Sequence, residues 1–325
     1  MPETTNIMKN IPTINKYIDP MVDFGFKKIF KESGKKQLII RPLNAIFGLD
    51  IADIEIKDCE QLGLTEQERR ATYDMHCTTR DGSKFIIEVQ LADQPFFMER
   101  AIFYSSLTIA KDAERGKWDY SIKPIFFLGL LNFDIRHLEP EKADPQQFIH
   151  KFLLREEQTT ELMSYRLRFA FLEIQRFDKE KEECLTFEDR FLYIMKNLPT
   201  FAEKPALWDD PYFNEMIEEA EYASMNMEQR YQYALAMKQK WDYQNQLDFA
   251  EQKGRSEGKA EGLAEGFAEG RTEGLAKGRS EGLAEGRDTE KIETARRMLT
   301  DKLPVETIMK YTGLSVDQLR ELSTE

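Results

Sequence analysis

Residues 71–91 read ATYDMHCTTRDGSKFIIEVQL. Polar and apolar side chains alternate in the first part of this stretch, as they do along a strand with one buried face. Asp81-Gly82 is a typical hairpin turn, and the run that follows it is the partner strand. Position 81 is the midpoint of Asp74 and Glu88, so an antiparallel register centred on the turn predicts that these two carboxylates lie nearly opposite each other.

Two carboxylates that face each other across a strand pair repel and destabilise the fold. A divalent cation between them would offset the repulsion, and Mg²⁺ prefers one or two carboxylates together with waters and phosphate oxygens. Gln90 lies on the same strand face as Glu88 and could orient an attacking water. The alternative is a solvated polar face on a surface hairpin, but the apolar run Phe85-Ile86-Ile87 argues against it.

The segments around this hairpin complete an α/β pattern. Their apolar spacing predicts helices at 19–32, 37–47 (disturbed by Pro42) and 96–115, and strands at 51–59, 122–133 and 166–174. The stretch IKPIFFLGLLNF at 122–133 suits a strand that is buried on both faces. No strand signal follows Ile174, and residues 186–250 have helical spacing. We therefore expect an α/β sandwich followed by a helical C-terminal region.

A four-residue repeat fills residues 254–287, with the unit x-[Ala/Ser/Thr]-Glu-Gly and Lys277 in place of Glu once. Its nine glycines cost a helix ~1 kcal/mol each relative to alanine, or roughly 9 kcal/mol together. We favour a helical spacer, and the alternative is a stalk through which copies of the chain form a homo-oligomer. Charged residues in every unit exclude a membrane helix pair of the Gly-x-x-x-Gly type.

Residues 291–323 have the outline of a small helix-turn-helix. An amphipathic segment precedes a helix that Pro304 starts, and Gly313 marks the turn before a last helix with Ser315 as its N-cap. That last helix, VDQLREL, is net acidic, whereas a helix that reads DNA should be basic. We therefore favour a packing or pairing module over a DNA-reading one.

Composition restricts the class of protein and its surroundings. Lys and Arg number 46 against 59 Asp and Glu, a net charge of −13, which argues against broad electrostatic capture of nucleic acid. The sequence contains no apolar run of ~18 residues, so we expect no membrane-spanning helix. The N-terminus has no signal-peptide pattern. The three cysteines (Cys59, Cys77, Cys184) lie far apart, which argues against a disulfide frame, and with only three histidines as well a Cys/His zinc site is not expected. We therefore expect a cytoplasmic protein.

Several ordered motifs resemble one known family. They are DFGFKKIF (23–30), ATYDMHC (71–77), FIIEVQ (85–90), MERAIFYSS (98–106) and IKPIFFLGLLNF (122–133). The set resembles the PD-(D/E)XK nuclease superfamily and, more narrowly, the Rpn family of recombination-promoting nucleases and predicted transposases, which carries Glu-x-Gln in place of Glu-x-Lys. The resemblance covers residues 17–250, most clearly 19–133. It implies a restriction-endonuclease-like mixed sheet flanked by helices, and metal-dependent cleavage of DNA.

The resemblance also implies roles for individual residues. Asp74 and Glu88 match the two metal-binding carboxylates, and Mg²⁺, or Mn²⁺ in its place, is the implied cofactor. Asp23 matches an acidic position that can complete the metal site. Gln90 occupies the position of the motif lysine, so this chain lacks the expected cation there.

Positive charge is then expected from a neighbouring helix, on Lys27, Lys28 or Arg100. Arg100 and Tyr104 are four residues apart and share one helical face. We weigh an auxiliary or substrate-binding role for this pair against ordinary helix packing. His76 shares the strand face of the metal-binding aspartate, and we expect it to pack or hydrogen-bond rather than to bind metal.

These features divide the chain into a nuclease-like domain (1–180), a helical extension (181–252), the glycine-glutamate repeat (253–290) and a small helical terminal module (291–325). The leading hypothesis is a Mg²⁺-dependent DNA endonuclease linked to recombination or transposition, with DNA as its partner and no membrane. The alternative is a catalytically weakened nuclease fold that acts as an oligomeric interaction module. The missing lysine and the acidic net charge favour that alternative.

Overall fold

The computed structural model describes residues 15–57, 60–61, 71–93, 96–112, 119–135, 144–206 and 208–324. The chain divides into two compact units, one that ends at Asn245 and one that begins at Gln246. The first unit holds the strands and the predicted site, and the second holds the repeat and the terminal helices.

A six-stranded mixed sheet lies at the centre of the first unit. Its strands, in order across the sheet, are β1 (Glu55–Lys57), β4 (Met75–Thr78), β5 (Lys84–Gln90), β6 (Ile125–Leu131), β8 (Leu162–Glu173) and β7 (Ile149–Arg155). The β5–β6 and β6–β8 pairs are parallel, and the other pairs are antiparallel. A separate antiparallel pair is formed by β2 (Glu60–Gln61) and β3 (Ala71–Thr72).

Helices cover both faces of this sheet, so the predicted α/β architecture is confirmed. They are α1 (Asp23–Lys27), which a π-helical turn at Lys28–Glu32 continues, α2 (Gln37–Phe47), α3 (Phe97–Asp112), α4 (Phe187–Asn197) and α5 (Pro211–Glu219), with 3₁₀ turns at Lys181–Glu183, Leu198–Thr200 and Tyr222–Ser224. Helices α1, α2, α4 and α5 share a core with the sheet face that presents Ile87 and Leu128. Helix α3 covers the opposite face, where Phe97 packs with Ile86 and Phe127.

The central hairpin forms in the predicted register. Gly82 closes the turn with a φ of +85°, a value that favours glycine. Strands β4 and β5 pair from Thr78 opposite Lys84 to Met75 opposite Ile87. Strand β6 is buried along its whole length, as predicted for 122–133.

Several predicted elements differ from those in the structure. The strand predicted at 51–59 is reduced to Glu55–Lys57, with residues 58–59 outside the described part. The first strand of the predicted hairpin, in the first part of residues 71–91, is divided, because Tyr73 and Asp74 separate β3 from β4. The edge strand β7 was not predicted, because its exposed and buried positions do not alternate cleanly. The helix predicted at 96–115 is described as far as Asp112.

The disturbance predicted at Pro42 does not interrupt α2. Proline has no N–H to donate to the carbonyl four residues earlier, which is that of Leu38. The Tyr212 hydroxyl of α5 donates a hydrogen bond to this Leu38 carbonyl at 2.8 Å. A tertiary contact thus replaces the missing helical hydrogen bond, and the helix continues to Phe47.

The repeat lies within a single helix, α6 (Met227–Thr300), of 74 residues. Apart from the chain neighbours and the backbone of α6 itself, no atom of the described residues lies within 4 Å of the position that a Cβ would take on any glycine from Gly254 to Gly286. The helical prediction is confirmed, and this part of α6 is exposed along its length.

The terminal helices form the predicted helix-turn-helix outline. Helices α7 (Val305–Thr312) and α8 (Val316–Thr324) pack on the end of α6 through Ala295, Ile308 and Leu319. Gly313 ends α7 with a φ of +72°. The Ser315 hydroxyl accepts a hydrogen bond from the Gln318 N–H at 3.3 Å, and the Gln318 side chain accepts one from the Ser315 N–H at 2.8 Å. This reciprocal capping confirms Ser315 as the N-cap.

None of the helices in the described part combines the length and the apolar composition that a bilayer span requires. Cys77 and Cys184 are both buried. Cys59 lies outside the described residues.

Candidate active site

The hairpin brings two carboxylates to one face of the sheet, beneath α3. The last paired residues of β4 and β5 are Met75 and Ile87, so one further step places Asp74 opposite Glu88. Asp74 is half-buried, and only 7% of Glu88 is exposed. Both side chains therefore face each other where water is largely excluded, as the sequence predicts.

The two carboxylates differ in how their oxygens are satisfied. Oδ2 of Asp74 accepts a hydrogen bond from the backbone N–H of Val89 at 2.6 Å, which fixes this side chain against the neighbouring strand. Oε1 of Glu88 is buried and has no hydrogen-bond partner among the described residues. A buried acceptor without a hydrogen-bond partner costs free energy. We call this atom the unmatched oxygen of Glu88, and it is the site's candidate metal-binding atom.

Burial also opposes the ionisation of both groups. It raises the pKa of Glu88, and the nearby Asp74 carboxylate raises it further. Burial likewise raises the pKa of Asp74, and the hydrogen bond from the Val89 N–H opposes this increase. The carboxyl of Asp23 raises the pKa further, through its charge and through a hydrogen bond. The site therefore favours a bound positive charge over two free carboxylates.

Helix α1 brings Asp23 and Lys27 to the same place. Asp23 is the first residue of α1, and its carboxylate pairs with the Lys27 ammonium at 2.6 Å. The charges of both residues act on Asp74 and on Glu88. Gly25 lies between them, and a Cβ there would come within 1.9 Å of the Asp19 carbonyl oxygen. Only glycine allows this close approach.

Gln90 contacts α3 and its own strand end. Its Oε1 accepts a hydrogen bond from Nη2 of Arg100 at 2.6 Å, and its Nε2 donates to the Ala92 carbonyl at 3.0 Å. Of the two residues that we predicted to share an α3 face, Arg100 thus reaches the site. Tyr104 instead packs edge-on against Tyr73, with 5.1 Å between ring centroids.

The other predicted residues lie near the site without joining it. The Lys28 ammonium is 3.9 Å from a carboxylate oxygen of Glu219 on α5. His76 is buried and packs edge-on against Tyr73, with ring centroids 5.8 Å apart. Burial lowers the pKa of His76 to about 4, so its imidazole is neutral at pH 7.

The carboxylate oxygens of this site suit a small cation that takes its other ligands from water and phosphate, rather than a metal ion that protein side chains surround completely. Among the described residues, no three His, Cys, Asp or Glu side chains are grouped so that they could hold a metal ion. Mg²⁺ commonly takes one or two carboxylates and completes its octahedron with water and phosphate oxygens. Asp74 and the unmatched Oε1 of Glu88 supply such a pair.

Two other features are distinct from this pair. A cleft of about 640 Å³ lies at the turn end of the hairpin and is lined by residues that include Asp53, Asp81 and Phe85. The buried carboxylate of Glu173 accepts hydrogen bonds from the Ile135 N–H at 2.5 Å and from Arg176 at 2.6 Å. Burial alone would raise the pKa of Glu173, but these bonds and His150 lower it to about 2. Glu173 is thus a satisfied structural anion.

Sequence reasoning missed the backbone part of the site. The N–H of Val89 and the carbonyl of Ala92 hold Asp74 and Gln90 in place. Any residue type other than proline offers these backbone groups, so no sequence signal marks them. The close approach at Gly25 had a visible signal, a glycine inside a short predicted helix.

Two family models match the chain. Residues 20–250 match the model described as PD-(D/E)XK nuclease family transposase, whose members typically use divalent metal ions. Residues 288–324 match the model described as Rpn/YhgA-like nuclease family, C-terminal HTH domain. Neither a curated protein nor a solved structure matches the chain. The first match spans well over half of the sequence, and together the two show that the chain belongs to the Rpn/YhgA-like branch of the PD-(D/E)XK nuclease family transposases.

Proposed function

We propose that this protein is a metal-dependent DNA endonuclease that hydrolyses phosphodiester bonds with Mg²⁺, or with Mn²⁺ in its place. The observation that carries the proposal is the buried Asp74–Glu88 pair with an unmatched Glu88 oxygen. A fold that had lost its chemistry would have no reason to retain a buried carboxylate without a donor. This favours an active nuclease over the weakened interaction module.

Each residue has a defined task in this account. Asp74, held by the Val89 N–H just before β4, and Glu88 on β5 would hold the cation between them. Bound there, Mg²⁺ lowers the pKa of an attacking water and neutralises charge on the phosphodiester. Asp23 adjoins Asp74 and would add a third carboxylate beside the two proposed ligands. Lys27 limits the negative charge that Asp23 adds.

Cleavage of supercoiled plasmid in Mg²⁺ or Mn²⁺ tests the proposal. We expect nicking by the unmutated chain, and a loss of about 100-fold or more in Asp74→Ala and in Glu88→Ala, because each variant removes half of the cation's protein ligands. EDTA should abolish the reaction. Equal cleavage by all three proteins would assign the activity to a contaminant or another site and would contradict the proposal.

The biological setting and the terminal domain extend this proposal. The name of the matched family suggests that cleavage serves transposition, and we propose recombination as a related setting. A helix-turn-helix domain suggests a contact with DNA, although the acidic residues Asp317 and Glu321 of α8 still favour a packing or pairing role. The cytoplasmic location stays a prediction.

We also propose that the repeat in α6 pairs with a second copy of the chain. Its nine glycines weaken an isolated helix by roughly 9 kcal/mol, yet the segment is helical and exposed. Leu263, Phe267, Leu275 and Leu283 project from it with more than half of their surface exposed. Residues 254–287 carry six basic and seven acidic side chains, a net charge of −1, and both signs occur along the whole length of the repeat. In charge, the surface of the repeat is therefore more complementary to a second copy of itself than to the uniformly negative backbone of DNA.

Light scattering on the full chain tests the pairing. Replacement of Leu263, Phe267, Leu275 and Leu283 together by glutamine is expected to reduce an oligomer to a monomer and to lower the helix content seen by circular dichroism. Leu185→Gln, at another exposed leucine outside the repeat, is the control and should change neither value. A monomeric unmutated chain with full helix content would identify the repeat as a spacer.

A further inference from the structure

We propose that Asp19 is a positioning residue of the candidate active site, because it holds the start of α1 and therefore Asp23. Tyr233 and Lys240, in the first part of α6, fix Asp19 and share this role. The inference rests on the nuclease function proposed above. All three residues would act on the reaction through α1, without touching DNA or the cation.

Asp19 lies in the chain before α1, and α6 supplies two of its partners. Only 3% of Asp19 is exposed. Its backbone N–H donates a hydrogen bond to the Tyr233 hydroxyl at 3.0 Å, and its carboxylate forms an ion pair with the Lys240 ammonium. A buried charge that loses its partner destabilises a fold strongly. The Lys240 ammonium therefore stabilises Asp19 in this position.

Asp19 holds the start of α1 through its carbonyl and its carboxylate. Its Oδ1 accepts a hydrogen bond from the Met21 N–H at 2.8 Å, and its carbonyl oxygen accepts one from the Val22 N–H at 3.4 Å. These two bonds turn the chain into α1, which begins at Asp23. The same carbonyl oxygen would lie 1.9 Å from a Cβ on Gly25. Any displacement of Asp19 is therefore passed to the first turn of α1.

The Tyr233 hydroxyl can hold Asp19 because the ring that carries it is fixed. Tyr233 is 8% exposed, and its ring centroid lies 6.2 Å from that of Phe24 and 6.0 Å from that of Tyr222. Tyr222 is itself tied to the chain before α1, since its N–H donates to the Lys16 carbonyl at 2.9 Å. The beginning of α6 and the chain that leads into α1 thus pack together.

Asp23 is the residue through which the position of α1 reaches the two carboxylates. Its charge and a hydrogen bond act on Asp74, and its charge also acts on Glu88. Hydrogen bonds weaken steeply when their geometry departs from the ideal. A misplacement of about 1 Å in a catalytic site can cost about 100-fold in rate. The contacts between α6 and Asp19 should therefore influence kcat from outside the site.

Tyr233→Phe tests the hydrogen bond. It removes the hydroxyl and keeps the ring, so α1 loses one of its restraints. We expect kcat for plasmid cleavage to fall about tenfold with little change in KM. Tyr212→Phe is the matched control, because it removes another buried hydroxyl, which donates to the Leu38 carbonyl of α2 at 2.8 Å. It should lower the melting temperature by a similar amount and leave kcat unchanged.

Lys240→Met tests the ion pair. The variant leaves the Asp19 carboxylate buried without this cation, and kcat should again fall about tenfold. The double variant Lys240→Met with Asp19→Asn should recover most of the loss, because a neutral amide needs no cation and its oxygen can still accept from the Met21 N–H. Lys238→Met, at an exposed position of α6, is the control and should leave kcat unchanged.

Hydrogen exchange followed by mass spectrometry detects a displacement of α1 independently of activity. In Tyr233→Phe and in Lys240→Met, the amides of residues 19–27 should exchange faster than in the unmutated chain, whereas those of β5 should not change. In Tyr212→Phe, residues 19–27 should keep their exchange rates. This pattern would separate the positioning of α1 from a general loss of stability.

The outcomes separate this inference from the nuclease proposal. Unchanged exchange of residues 19–27 in both α6 variants would show that α6 does not hold α1. Faster exchange with full kcat would show that the hold has no part in the reaction, and each of these results would overturn the inference. An unmutated chain that neither binds Mn²⁺ nor cleaves DNA would remove the nuclease proposal and the catalytic part of this inference, and the exchange rates would still show whether α6 holds α1.

Discussion

Glu88→Gln is expected to make the metal-free protein more stable at neutral pH while it abolishes the cleavage of DNA. The substitution keeps the shape of the side chain and removes its charge. Stability and activity should therefore move in opposite directions, which a residue with a purely structural role would not produce.

The stability gain follows from the pKa of Glu88. Burial, with the nearby Asp74 carboxylate, raises this pKa from 4.5 to about 9. A carboxyl with a raised folded-state pKa gives its full stabilisation below its unfolded pKa of 4.5, and that contribution is lost as the pH rises toward 9. Only the interval between the unfolded pKa of 4.5 and pH 7 counts at neutral pH. At roughly 1.4 kcal/mol per pKa unit, about 3 kcal/mol of stabilisation is therefore lost at pH 7. The neutral amide of glutamine avoids this loss.

Unfolding by urea in EDTA, between pH 5 and pH 9, measures the effect. The difference in unfolding free energy between Glu88→Gln and the unmutated chain should grow as the pH rises, pass through about 3 kcal/mol at pH 7 and increase further toward pH 9. Mg²⁺ should then stabilise the unmutated chain and leave Glu88→Gln unchanged. Glu99→Gln, at an exposed position of α3, is the control and should show neither effect. A Glu88→Gln variant that is less stable in EDTA at pH 7 would contradict the account.

Gly25→Ala is expected to destabilise the protein by about 2–4 kcal/mol, in the range of substitutions that force overpacking against a fixed backbone. The new Cβ would lie 1.9 Å from the carbonyl oxygen and 2.9 Å from the carbonyl carbon of Asp19. Asp19 cannot easily move away. Its N–H donates to the Tyr233 hydroxyl at 3.0 Å, and its carboxylate accepts from the Met21 N–H at 2.8 Å and pairs with Lys240.

The same displacement should reduce DNA cleavage, because α1 carries Asp23 and Lys27 to the metal site. Gly254→Ala is the matched control. In the part of the chain that the structure describes, only the neighbouring backbone of α6 comes near its Cβ position, so the same substitution there should stabilise the helix by up to ~1 kcal/mol. Thermal and urea unfolding of both variants measure the two opposite effects. An unchanged unfolding free energy in Gly25→Ala would show that the Asp19 carbonyl does not approach α1 so closely.

The sequence predicts the centre of this fold because local signals and register agree there. A strand face has a period of two, and Asp81-Gly82 fixes the turn. These two constraints place Asp74 opposite Glu88, and the pairing of β4 with β5 confirms the register. Whether the pair binds metal stays a proposal, because a pattern of residues sets positions but not occupancy.

Other features depend on contacts between distant segments, which one sequence does not encode locally. The edge strand β7 has a mixed face and takes its conformation from β8. Helix α2 tolerates Pro42 because Tyr212, far along the chain, donates to the Leu38 carbonyl. The sequence names Arg100 among three possible cations, but its hydrogen bond to Gln90 emerges only once α3 lies across β5.

The most direct test of the central claim is a titration of Mn²⁺ into the full chain, with the free ion followed by electron paramagnetic resonance. We expect saturable binding that competes with Mg²⁺ and is lost in both Asp74→Ala and Glu88→Ala. Binding that persists unchanged in both variants, or no binding by the unmutated chain, would contradict the claim that these two carboxylates hold a divalent cation.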